Sequence, residues 1–127
     1  MIFAKRVYRI AGIYGLLVLL PQYFMEQRVG HDYPPPITHP EFFYGFLGTA
    51  VAFQSVFLIL ARDPQRYRAM IIPSVLEKAA FGIPTLLLFL QQRTSAMTLC
   101  FGTVDLILGA LFVVAYIRTA PRSLSSM

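Results

Sequence analysis

The sequence predicts an all-α fold: a four-helix transmembrane bundle, up-down-up-down, with both termini cytoplasmic. Three observations carry that expectation. Of 127 residues, 57% are hydrophobic and 13% charged, against about 25% charged in an ordinary soluble domain. Four apolar stretches, each near the ~20 residues that cross a bilayer core, take up nearly the whole chain as one integral membrane domain, 1–127. The basic residues also gather at one set of span ends. Lys5, Arg6, Arg9, Arg62, Arg66, Arg68, Arg118 and Arg122 fall on one side, with only Arg28 and Arg93 on the other. The positive-inside rule places the richer side in the cytoplasm.

The first span covers 7–25. Lys5, Arg6 and Arg9 lead into the apolar run Ile10–Leu20, a start that resembles a signal peptide. No small-x-small cleavage site follows, so the span is retained, and Arg9 snorkels back to the near interface. The outer loop, 26–41, holds Asp32, both histidines and Tyr33-Pro34-Pro35-Pro36, expected as stiff polyproline II. Thr38-His39-Pro40-Glu41 matches a capping box for the second span, 42–61.

Arg62-Asp63-Pro64 then makes a sharp stop and restart. Asp63 suits an N-cap and Pro64 the first helical position, so the third span, 64–90, folds back on the second. Pro73 and Pro84 should bend it. Gln91–Thr94 turns the chain, Ser95 caps, and the fourth span is 96–117, followed by a frayed tail over 118–127. Tyr8, Tyr67 and Tyr116 fall at the inner interface and Tyr23 and Tyr44 at the outer, as an aromatic belt does. Tyr14 alone sits at membrane depth.

The spans carry few polar groups, and those share a level. At about 1.5 Å per residue, Tyr14, Gln54, Glu77 and Lys78 lie ~10–13 Å from the cytoplasmic face and Asp105 ~19 Å. Helical spacing puts Thr98, Gly102, Asp105 and Gly109 on one small, polar face. Ser74, Lys78, Gly82 and Thr85 line another, beside Pro73, Glu77, Ala80 and Pro84. Gly48, Ala52 and Ser55 form a small-residue stripe on the second span. Lys78 is expected to pair with Asp105, and Glu77 to bond Gln54 or Tyr14 or to reach Arg9. One reading is a neutralised network that fixes how the helices meet. The other is a hydrated cavity open to the cytoplasm, where Glu77 or Asp105 takes up a proton or grips a cationic or polar ligand.

Elsewhere the signals are weak. His31 and His39, with Asp32 and Glu41, are zinc-type ligands, but they lack tight spacing and Glu41 is engaged in the cap, so no metal is expected. Cys100, in an apolar stretch, reads as a small core residue. No phosphate-cradling loop or nucleophile elbow is present. The net charge of +5 sits at span ends rather than along one polar face, which argues against nucleic acid.

His39-Pro40-Glu41-Phe42-Phe43-Tyr44-Gly45 and Ala61-Arg62-Asp63-Pro64 are the most distinctive stretches. With them, the size, four spans, short turns and buried polar residues make the chain resemble small uncharacterised bacterial four-helix inner-membrane proteins, loosely the DoxX-like group. The resemblance is architectural, covers the whole chain and transfers no site residue. It implies a multi-pass protein of the bacterial inner membrane, a non-catalytic accessory subunit or scaffold of a membrane complex; some such subunits are linked to quinone redox chemistry. Its partners would be the lipid bilayer and other membrane subunits or a second copy, and no cofactor is assigned. Two alternatives remain: a proton-coupled or lipophilic-ligand transport or binding protein using Glu77 and Asp105, and a membrane enzyme on a lipid or quinone using Glu77, Lys78, Tyr14 and His39. Small multidrug transporters are similar in length only, because their essential acid lies in a first span that has none here.

Overall fold

The computed structural model describes residues 2–121. Arg122, counted above on the cytoplasmic side, and the rest of the 122–127 tail lie outside the described residues. Among the described residues every regular element is helical. In order they are α1 (Ile2–Leu19), a 3-10 turn (Leu20–Phe24), α2 (Glu26–Asp32), α3 (Pro40–Arg62), a second 3-10 turn (Arg68–Met70), α4 (Ile71–Leu90) and α5 (Ala96–Arg118).

Three stretches of 23 residues, Pro40–Arg62, Arg68–Leu90 and Ala96–Arg118, are long and apolar enough to cross a membrane. α1 differs. It has 18 residues, and Lys5, Arg6 and Arg9 occupy its first half. The α-helix starts before the expected span 7–25 and gives way to a 3-10 turn at Leu20 within it. Pro21 explains the early end, because its ring removes an amide donor and crowds the preceding turn. Gln22 Nε2 donates to the Val18 carbonyl at 3.0 Å and satisfies one freed acceptor.

The connection 26–41 is not all loop, since α2 forms in its first half. The Pro34–Pro35 peptide is cis, in place of the all-trans polyproline II run expected. The capping box does not form either. Pro40 opens α3, which makes His39 rather than Thr38 the N-cap residue and shifts the box out of register. Glu41 accepts from His39 Nδ1 at 3.2 Å instead.

Asp63 does cap: its Oδ1 accepts from the Arg66 amide at 3.1 Å. The α-helix nevertheless begins at Ile71 rather than at Pro64. Pro73 sets that start. Deeper in a helix it would clash with the carbonyl four residues back, whereas in the first turn its missing N–H costs nothing. Ser95 caps α5, accepting from the Thr98 amide at 3.2 Å.

The long helices pack as two antiparallel pairs, α1 with α3 and α4 with α5. Small residues let each pair close. Gly12 and Gly15 lie against Leu58 and Gln54 of α3, while Gly102 and Gly109 of α5 face Thr85 and Lys78 of α4. The stripe Gly48-Ala52-Ser55 is not used in this way. It faces outward, and Leu47, Ala50, Gln54 and Phe57 form the inner face of α3.

At the end holding the α3–α4 connection, the two pairs share one core. Tyr8 is fully buried there, stacked on Phe112 with ring centroids 4.3 Å apart, and Phe57 meets Phe112 edge-on at 5.1 Å. Tyr8 is thus a core residue rather than part of an interfacial belt. At the opposite end, Leu19, Leu47 and Ala50 form a separate cluster within the α1–α3 pair alone. Cys100 is exposed, not a core residue.

Candidate functional site

Because the pairs share a core at one end only, a space opens between them toward the other. It is a cavity of about 520 Å³, walled by all four long helices. α1 contributes Tyr14, Gly15 and Leu17 to Leu19; α3 contributes Phe46, Ala50 and Gln54; α4 contributes Glu77, Lys78 and Phe81; α5 contributes Thr98, Phe101 and Asp105. Pro21, Gln22, Met25, Val29 and Tyr33, from the turn after α1 and from α2, line the far end.

The polar groups form one end of this space. Lys78 Nζ donates to Asp105 Oδ1 at 3.3 Å and stands 3.5 Å from Glu77 Oε2. The lysine also lies 5.1 Å from the Phe57 ring centroid, on the side of the shared core. Its side chain is 4% exposed, against 18% for Glu77 and 15% for Asp105. The cation is therefore the most deeply buried of the three charged groups, all of which border the cavity. Gln54 is buried; its Nε2 donates to the Ala50 carbonyl at 2.8 Å, while its Oε1 lies buried with no hydrogen-bond partner. Glu77 Oε2 is also buried, and the Lys78 ammonium 3.5 Å away is its ion-pair partner. Gly15 makes room for the Gln54 amide, which a side chain at that position would strike.

Comparison with protein-family models, with curated proteins and with solved structures finds no match. What the chain can do therefore has to be read from this site.

Tyr14, Gln54, Glu77, Lys78 and Asp105 all border the cavity. Arg9 does not; it is exposed on α1, and the cation beside Glu77 is Lys78. Glu77 bonds neither Gln54 nor Tyr14. The direction of the space also differs from the expectation. Tyr8, Phe57 and Phe112 fill the side toward the α3–α4 connection, so the cavity runs from the polar groups toward α2 rather than toward that connection. His31 and His39 lie outside it, each against its own neighbour, Asp32 at 3.3 Å and Glu41 at 3.2 Å. Among the described residues no three metal-ligating side chains converge.

Sequence reasoning missed the apolar wall, chiefly Phe46, Phe81 and Phe101, and the contribution of α2. Gly15 could have been found. Ala4, Ala11 and Gly15 recur at helical spacing on α1, a small face that marks where a neighbouring helix comes close.

Proposed function

We propose that the chain is a small integral membrane protein whose four long helices form a transmembrane bundle, up-down-up-down with both termini cytoplasmic, in a bacterial inner membrane. We further propose that it binds a lipophilic small molecule between its two helical pairs. For the fourth crossing the support is packing. α1 runs beside α3 from the Ala4 and Ala61 cluster to the Leu19 and Leu47 cluster, so a bilayer that holds α3 also surrounds α1.

The observation that carries the binding reading is the cavity itself. At about 520 Å³ it falls within the ~300–1,000 Å³ of small-molecule sites, which are likewise mostly apolar with a few convergent polar groups. Its rim is apolar as well. Leu17, Phe46 and Phe101 are 72%, 49% and 38% exposed, which suits entry from the acyl-chain region.

The test is thermal unfolding of the full chain in one detergent, titrated with dodecan-1-ol. A molecule that binds the folded state raises its midpoint by mass action. The expected result is a saturable rise in wild type and none in Val18→Trp, whose indole fills the cavity; equal shifts in the two would end the ligand reading. A second reading, an accessory subunit or scaffold, is favoured by the exposed Gly48-Ala52-Ser55 stripe, since small residues let helices approach closely in lipid. Cross-linking between Ala52→Cys and a neighbouring chain in native membranes would support it.

A further inference from the structure

The cavity has an end with a definite charge and a definite hydrogen-bonding sense. Lys78 is its one cation and Glu77 and Asp105 its two anions among the described lining residues. With all three ionised, one negative charge is left over. The lysine is held on the far side by Asp105, Glu77 and the Phe57 ring. The two carboxyl side chains are more exposed than the lysine.

The hydrogen-bonding inventory points the same way. Gln54 is 1% exposed; its amide nitrogen is used by the Ala50 carbonyl and its Oε1 receives nothing. Glu77 Oε2 has the Lys78 ammonium 3.5 Å away, beyond a good hydrogen bond, and no second donor. Buried acceptors left without donors are costly, and a ligand that supplies donors removes the cost. The remainder of the space is walled by aliphatic and aromatic side chains such as Leu17, Phe46, Phe81 and Phe101.

Resting on the binding reading above, we infer that the ligand is a lipophilic amine. Its protonated nitrogen lies beside Glu77 and the Gln54 carbonyl, and its hydrocarbon portion lies along the apolar wall toward α2. An ammonium brings both the missing positive charge and several N–H donors, and charge-assisted hydrogen bonds of this kind are the strong ones. A carboxylate ligand brings neither and faces two like charges, so the site rejects it by repulsion as well as by poorer contacts. A neutral alcohol supplies one donor and no charge.

The experiment titrates the full-length protein with dodecylamine, dodecan-1-ol and dodecanoate, reading the saturable rise in unfolding midpoint relative to Val18→Trp in the same micelles. Dodecylamine is expected to bind about tenfold tighter than dodecan-1-ol, equivalent to about 1.4 kcal/mol, with dodecanoate weakest. This ranking needs no variant at the polar end. Glu77→Gln, which keeps the shape and removes the charge, is expected to bring the amine-to-alcohol ratio near one. Alcohol binding as tightly as amine in wild type, or a Glu77→Gln ratio unchanged from wild type, would overturn the amine assignment while leaving the cavity a lipophilic site. Shifts for all three probes that match those of Val18→Trp would remove the binding reading and this inference with it.

Discussion

Gly109 faces Lys78 across the α4–α5 contact: a Cβ placed on the glycine would stand 3.2 Å from the Cβ of the lysine. One turn along α5 from that point, Asp105 takes the Lys78 ammonium at 3.3 Å. The close approach and the ion pair are one feature, because only a helix this near lets so short an acid reach the lysine.

Gly109→Leu should therefore push the pair apart, with the 1–3 kcal/mol cost typical of about one overpacked core position. Gly45→Ala is the control, since a Cβ there meets nothing within 4 Å; it should change stability by at most ~0.5–1 kcal/mol, in the stabilising direction, through helix propensity. Denaturant unfolding in a fixed detergent reads both. Equal effects at the two glycines would mean that the α4–α5 contact is looser than described.

The ion set makes a second prediction. Lys78→Met alone leaves two carboxylates without their cation and should cost about 3–5 kcal/mol, the usual result of breaking a buried pair from one side. Replacing the whole set, Lys78→Met with Glu77→Leu and Asp105→Leu, should recover stability to within ~1 kcal/mol of wild type or above it, because desolvating charges offsets their mutual attraction. A triple variant as unstable as the single one would show that the charges hold the fold together in their own right.

The same residues show what could be read from the sequence and what could not. The pairing of Lys78 with Asp105 was legible because helical spacing fixed both faces, and two opposite charges in apolar helices have few other places to go. The Ser95 cap and the Asp63 turn were legible because their signals are local. The start of α4 was not: Asp63-Pro64 suggests an immediate restart, but Pro73, nine residues further on, decides it. Tyr8 was also misplaced. Position near a helix start says interface, while burial against Phe112 depends on α5, more than 100 residues along the chain. Arg68 counts in the sequence only as a span-end charge; its guanidinium 3.6 Å from the Tyr116 ring centroid and its Nε donating to the Tyr116 carbonyl at 3.0 Å depend on the packing of α5. The side toward which the cavity runs depends on where large aromatic residues meet, which no single-helix pattern encodes.

Tyr8 gives a third prediction. Its ring is wedged between Phe57 and Phe112 where both helical pairs meet, and its hydroxyl is buried without a hydrogen-bond partner. Tyr8→Ala should lose about 3 kcal/mol or more by leaving a cavity in that core. Tyr8→Phe should be neutral or stabilising, since it removes an unsatisfied polar atom and keeps the ring. The difference in unfolding free energy between these two variants isolates the ring from the hydroxyl. A Tyr8→Phe loss as large as that of Tyr8→Ala would place a partner on the hydroxyl.

The fourth prediction concerns α1, whose basic first half keeps it apart from the three helices that are apolar enough on composition alone. With Cys100 replaced by serine, single cysteines at three exposed positions report the crossings: Lys5→Cys at the start of α1, Gln27→Cys in α2 and Gln65→Cys in the α3–α4 connection. An impermeant maleimide added to intact cells should label Gln27→Cys and leave Lys5→Cys and Gln65→Cys unlabelled until the membrane is opened. The proposed topology predicts this pattern, because the positive-inside rule assigns the α3–α4 connection, with Arg62, Arg66 and Arg68, to the cytoplasmic side and antiparallel packing on α3 groups the start of α1 with it. Labelling of Lys5→Cys together with Gln27→Cys from outside would mean that α1 does not cross. The cavity would then lose one wall to solvent or headgroups, and a lipophilic occupant would lose the apolar surface that Leu17, Val18 and Leu19 provide.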